Sequence, residues 1–168
     1  SGYADLARAL QHEHGITSVV TVGTSEEELA LAEEIVELSR GAAELAPHTQ
    51  ELGDLIALID TAGVFVGGDS GPLHIATALG TPAVQVLGPT DPIENEPRRG
   101  THWKQVRIPM PCSPCRRGCA EATCMSVISY EHVLVATLDC LTIFHERRKQ
   151  ASAGRVSSPA QPVAQSWN

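Results

Sequence analysis

Residues 69–74, Asp-Ser-Gly-Pro-Leu-His, bring an acid, a hydroxyl, a glycine and an imidazole together behind the apolar run GVFVG at 63–67. An apolar strand, a glycine-rich turn and a proline that can open a helix aim free backbone amides at one spot. Those amides and the helix dipole favour a phosphate. Residues 1–97 hold 16 acids against two bases, Arg8 and Arg40. Amides, Ser70 and His74 therefore have to supply most of any phosphate contacts. Asp69 would repel a bare phosphate and suits sugar hydroxyls or the turn itself. The same residues also read as an ordinary strand–turn–helix connection with capping side chains. Spacing alone leaves both readings open. Glu26, taken alone, is a first-turn helix acid favoured by the dipole.

A second cluster lies downstream. Cys112, Cys115, Cys119 and Cys124 fall within thirteen residues. Four thiolates could close a tetrahedral zinc site, although only the first pair has a common half-site spacing. Reduced thiols, or one or two disulfides, are the alternatives. Cys140 sits in a helical pattern and reads as a small core residue. Arg98, Arg99, Arg107, Arg116 and Arg117 make this region basic. They could meet an anionic lipid headgroup or simply solubilise the surface.

Two motifs are excluded. The turn is not Gly-x-Gly-x-x-Gly, so it gives no support to a nicotinamide dinucleotide site. Pro72 replaces the last glycine of a nucleophile elbow, and no acid and histidine partners follow in order.

The elements that must position these groups alternate. Helices are expected at 3–14, from 26 to about 40, after Thr49, at 72–79, and from Ser129 to about Lys149. Buried strands are expected at 16–22, 63–67 and 83–87, with another at 104–108. Ser25 and Glu28 form a capping box, Pro72 suits the first helical position, and Gly80 suits a helix end. This alternation implies βαβ units, a parallel sheet and right-handed crossovers. Residues 150–168 read as a disordered tail.

Length and charge set the bounds. The 168 residues suffice for one α/β domain and not for two of ordinary size. The first 97 residues sum to −14 and the rest to +6, which gives the net −8. An acidic first half argues against gripping nucleic acid along the whole chain. No apolar run approaches the roughly 20 residues of a membrane span, and no secretory apolar segment opens the chain.

The stretch VFVGGDSGPLHIATALGTPAVQVLGPTDP, Val64 to Pro92, closely resembles glycosyltransferase family 9, the heptosyltransferases of lipopolysaccharide core synthesis. VGTSEEE (Val22 to Glu28) resembles the family's second-strand loop with its acidic residue. CSPCRRGCAEATCMSVISYEHV (Cys112 to Val133) resembles its cysteine-bearing segment and final helix. The resemblance covers about residues 3–148, in order.

It implies the carboxyl-terminal half of a GT-B fold: a Rossmann-like parallel sheet with flanking helices, here without its first strand. Residues 1–149 would form the donor-binding domain, including the Cys/Arg-rich segment 98–127. Asp69, Ser70, Gly71 and His74 would line the diphosphate and sugar of an ADP-heptose-like donor, and Glu26 would meet the ribose. No catalytic residue is assigned to this chain. The general base is expected in an amino-terminal domain that the chain lacks, so this fragment is expected to be inactive alone. No cofactor is required, with structural zinc left as the open alternative. The acceptor would be a lipid-linked saccharide, and the place of action the cytoplasm, at the inner face of its membrane. Three rivals remain: a free-standing nucleotide-binding module, a zinc-ribbon-like module on 98–149, and an epimerase-type sugar-nucleotide enzyme.

Overall fold

A computed structural model describes residues 1–23, 25–47, 51–97, 102–115, 119 and 121–155. Helix α1 (Gly2–His14) ends as expected on Gly15, at φ 66°. Strand β1 (Ser18–Val20) follows, then α2 (Glu26–Ser39), β2 (Ala43–Leu45) and α3 (Leu52–Thr61). The central unit is β3 (Phe65–Gly67), α4 (Gly71–Leu79) and β4 (Ala83–Val86). Strand β5 (Trp103–Val106), a short α5 (Thr123–Ser126) and the long α6 (Tyr130–Arg155) complete the order.

All strand pairs are parallel. They form two sheets, β1-β2 and β3-β4-β5. Helix α1 touches β1 and β2, and its Leu6 and Leu10 join the core formed with Val84, Val86 and Val106. It therefore serves both sheets from one face, where α6 packs beside it. On the other face of β3-β4-β5, Ile59 of α3 and Leu73 and Ala76 of α4 pack on Ala83 and Trp103.

Several expectations need correction. The strand expected at 16–22 shrinks to three residues and is not buried, since Val19 is 50% exposed. Among the described residues it pairs with β2 on one edge and with no strand on the other. The run at 63–67 is likewise only half-buried. Strand β2 was not anticipated. It is three residues long and puts Glu44 in its middle, so it lacks any β-branched signal. Helix α2 stops one residue early, with Arg40 in the left-handed region at φ 56°. Buried Ser39 closes that end. Its hydroxyl donates to the Val36 carbonyl (2.7 Å) and accepts from the Ala43 amide (3.0 Å).

Caps also shift. Ser25 Oγ accepts from the Glu28 amide at 3.1 Å, which is half of the expected box. Helix α3 is opened by Glu51, whose amide donates to Asp54 Oδ2 at 3.3 Å. Thr49 lies outside the described residues. Pro72 occupies the second helical position, behind Gly71. At α6 the cap is reversed, with the Ser129 amide donating to His132 Nδ1 at 3.2 Å. Helix α6 runs past Lys149 to Arg155, through the first six residues of the expected tail. Residues 156–168 lie outside the description.

Cys140 is fully buried and its thiol points at the Ala83 carbonyl, 3.5 Å away. Burial raises its pKa above the ordinary value of 9.0. The folded state therefore holds this proton when the unfolded chain releases it, so stability is lost as pH rises past 9. Urea unfolding of the parent chain and Cys140→Ala at pH 7 and pH 10 should show the parent losing more stability than the variant as pH rises. Equal losses would contradict this.

Candidate functional site

The carboxyl end of β3 delivers the chain to Gly68-Asp69-Ser70, and Ser70 caps α4 in extended conformation (φ −154°, ψ 164°). Its hydroxyl makes no capping bond to the helix and instead reaches the Gly68 carbonyl at 3.3 Å. The Leu73 amide is engaged by the Ser70 carbonyl at 3.1 Å, and Pro72 has no N–H. An anion arriving at this end would meet the Ser70 and Gly71 amides first. Gly71 faces open space, since a Cβ placed there would touch nothing within 4 Å. Packing does not demand glycine there, and the backbone is open to close approach.

Asp69 and His74 are brought together across the first turn of α4. Nε2 of His74 lies 3.9 Å from Asp69 Oδ1, an ion-pair contact longer than a hydrogen bond. The Asp69 side chain is 18% exposed and that of His74 is 49% exposed. The imidazole can thus turn one nitrogen to the acid while its ring faces solvent. Glu26 stands at the first position of α2, exposed, shortly after the carboxyl end of β1. Among the described residues, no hydrogen bond or ion pair joins it to Asp69 or His74. The two bases of the first 97 residues serve elsewhere. Arg8 pairs with Asp5 and donates to the Leu38 carbonyl, and Arg40 ends α2.

The surface is a shelf rather than a closed pocket. A cleft of about 250 Å³ opens nearby between α1 and α6, lined by Tyr3, Leu6, Val86, Met125 and Tyr130, and it excludes Asp69 and His74. Burial raises the pKa of Tyr3 in that wall.

The cysteine segment docks onto the same edge, one strand along. Ser113 Oγ donates to the Gly88 carbonyl at 2.6 Å, and the Cys115 amide donates to the Pro89 carbonyl at 2.7 Å. Arg107 Nη2 holds Ser113 through its carbonyl (3.1 Å) and hydroxyl (3.3 Å). This arginine, read from the sequence as headgroup contact or surface charge, is thus a strut. Arg98, Arg99, Arg116 and Arg117 lie outside the described residues. Cys112 and Cys119 are exposed, Cys115 is half-buried, Cys124 is buried, and all are free thiols. Among the described residues, no three His, Cys, Asp or Glu side chains are grouped as a metal ion would require.

The model of glycosyltransferase family 9 (heptosyltransferase) matches residues 1–125. The chain belongs to glycosyltransferase family 9. Among its relatives, lipopolysaccharide heptosyltransferase 3 of Escherichia coli K12 is 40% identical over 94 residues, 53% of this chain and 26% of that protein. Lipopolysaccharide core heptosyltransferase OpsX of Haemophilus influenzae is 31% identical over 96 residues, 57% of this chain and 27% of its own length. The chain therefore matches only about a quarter of these relatives. Two solved structures share the fold. A glycosyltransferase family 9 protein from Veillonella parvula superposes with TM-score 0.68 at 23% identity, over 83% of this chain and 40% of its own. The Escherichia coli heptosyltransferase WaaC with ADP gives 0.57 at 21%, over 79% and 36%. The Rossmann-like half of a GT-B fold, expected from the resemblance, is the fold observed.

The sequence reading missed Gly88 as a contact point of this family 9 chain. A Cβ there would collide with the Met125 side chain and come within 3.1 Å of Cys124 Sγ. The only sequence signal was the Gly-Pro pair after an apolar run. Gly88→Ala should cost about 1 kcal/mol, since the flexible, exposed Met125 side chain can move while buried Cys124 has to give slightly, and adding Met125→Ala should recover most of it. Thermal unfolding of the single and double variants checks both. An unchanged midpoint for Gly88→Ala would contradict the docking described.

Proposed function

We propose that this chain is the donor-binding part of a heptosyltransferase of lipopolysaccharide core synthesis. The observation that carries the reading is the Asp69–His74 pair at the open amino end of α4. Relatives matched at 31–40% identity over 94–96 residues are lipopolysaccharide heptosyltransferases, and one structural neighbour is described with ADP.

In this reading the diphosphate of an ADP-heptose-like donor lies against the Ser70 and Gly71 amides, with His74 donating to it. Asp69 orients the imidazole and accepts from a sugar hydroxyl, and Glu26 accepts from the ribose. Transfer is inverting. A hydroxyl oxygen of a lipid-linked saccharide attacks the anomeric carbon as the carbon–oxygen bond to the diphosphate breaks, and ADP leaves. The acceptor proton passes to a base outside this chain. Charge building on the leaving phosphate is met by amides already oriented toward it, the kind of fixed donor worth roughly 3–4 kcal/mol when lost. The reading assigns no cofactor to the chain, and no helix among the described residues is long and apolar enough to cross a membrane. Action at the inner face of the cytoplasmic membrane belongs to the proposal, through the lipid-linked acceptor.

Calorimetry with ADP, UDP, GDP and ADP-heptose tests the binding step. ADP and ADP-heptose should bind and the other two should not. His74→Ala should weaken both about tenfold, the loss of one hydrogen bond to a charged group. Asp69→Ala should weaken ADP-heptose while leaving ADP unchanged or tighter. No binding of any nucleotide at millimolar concentration, roughly −4 kcal/mol, would overturn the reading. The chain alone should transfer no heptose, and measurable transfer would refute the placement of the base elsewhere.

A further inference from the structure

Strand β4 interrupts its apolar run with a glutamine. Gln85 is fully buried, and the parallel register sets it beside Gln105 of β5. Gln105 Nε2 donates to Gln85 Oε1 at 3.1 Å and to the Pro92 carbonyl at 3.4 Å, while Gln85 Nε2 donates to the Asn95 carbonyl at 3.2 Å. The turn so gripped is also folded from within. Asp91 Oδ1 accepts from the Ile93 amide at 2.8 Å and the Glu94 amide at 3.3 Å. Burying the Gln85 amide, and half-burying that of Gln105, costs free energy that an aliphatic pair would not. The cost is offset only if the turn's position matters or the bonds are complete.

Topology says where the turn lies. Side chains alternate along a strand, so Gln85 shares its face with Ala83, and Gln105 shares its face with Trp103. That face is covered over its first half by α3 and α4. The turn at 91–95 covers the second half, toward the carboxyl edge, and so flanks the first turn of α4 with Ser70 and His74. In the donor reading, Glu26 marks the nucleoside end on the β1 side and α4 holds the diphosphate. A ligand extended along the edge then places its sugar on the β4–β5 side.

We propose that Gln85 and Gln105 are positioning residues that hold the Asp91–Asn95 turn as the sugar-side wall of the donor site. This rests on the donor reading above. The test is calorimetry of the full chain with ADP and with ADP-heptose, on the parent, on Gln85→Leu/Gln105→Leu and on Gln105→Met. Replacing both partners by apolar groups is close to neutral for folding, and Gln105→Met keeps volume while removing the donor, so at least one variant serves. Thermal unfolding identifies the folded ones. ADP affinity should stay unchanged, while ADP-heptose should weaken about tenfold, the loss expected when one wall's hydrogen bonds are misplaced. A folded variant that keeps both affinities overturns the proposal. So does one that loses both in parallel, which marks a merely structural pair. A parent chain that binds neither ligand overturns the donor reading itself.

Discussion

The first 97 residues set 16 acids against two bases, of which Arg8 pairs with Asp5 and Arg40 ends α2, so a phosphate held there would rest mainly on backbone amides, Ser70 and His74. The rest of the site follows from that constraint. Amides at a helix start are fixed in direction by the strand before them, so the turn at 68–70 has to be short. Its glycine has to leave the backbone open, and the helix behind it has to be anchored. Leu73 and Ala76, fully buried against Ala83 and Ile59, anchor it. The Asp69 carboxylate sits at the same place and is unfavourable to a bare diphosphate. Its contact with His74, at 3.9 Å, sets the imidazole beside that charge.

The scaffold divides this work between two pieces. Glu26 is carried by β1 and α2, and the Asp69–His74 turn by β3 and α4. Among the described residues, no strand pairing links the two sheets. Helix α1 packs against the smaller sheet, and its Leu6 and Leu10 and its tie to α6 join it to the core of the larger one. Beyond β4, the Gly88–Pro89 bend receives the cysteine segment through backbone and hydroxyl bonds. That segment therefore docks on the same edge.

Much of this was legible from residue order. The run of apolar strand, Gly-Asp-Ser-Gly-Pro and alanine-rich helix states its own geometry, since each residue obeys a local rule of strand, turn or helix start. Gly15 and Gly80 end their helices in the left-handed region as their type predicts. Where the reading failed, the deciding forces were not local. Strand β2 exists because Ser39 and β1 present partners to it, not because Ala-Glu-Leu favours extension. Val19 looked buried because β-branched runs usually are, yet burial depends on a neighbour that sequence periodicity does not reveal. Arg107 looked like a surface charge because its partner, Ser113, is brought back by a loop. The glutamines at 85 and 105 carried a faint signal, a polar residue inside an apolar strand. Its meaning required the register that pairs them.

The most direct measurement is an ADP titration followed by backbone amide NMR at two salt concentrations. If neutral donors hold the phosphate, the largest shifts fall on Ser70, Gly71 and the residues around His74, and the affinity changes little with salt because few cations are involved. Shifts centred instead on the arginine-bearing residues 98–117, with affinity falling steeply as salt rises, would contradict the account.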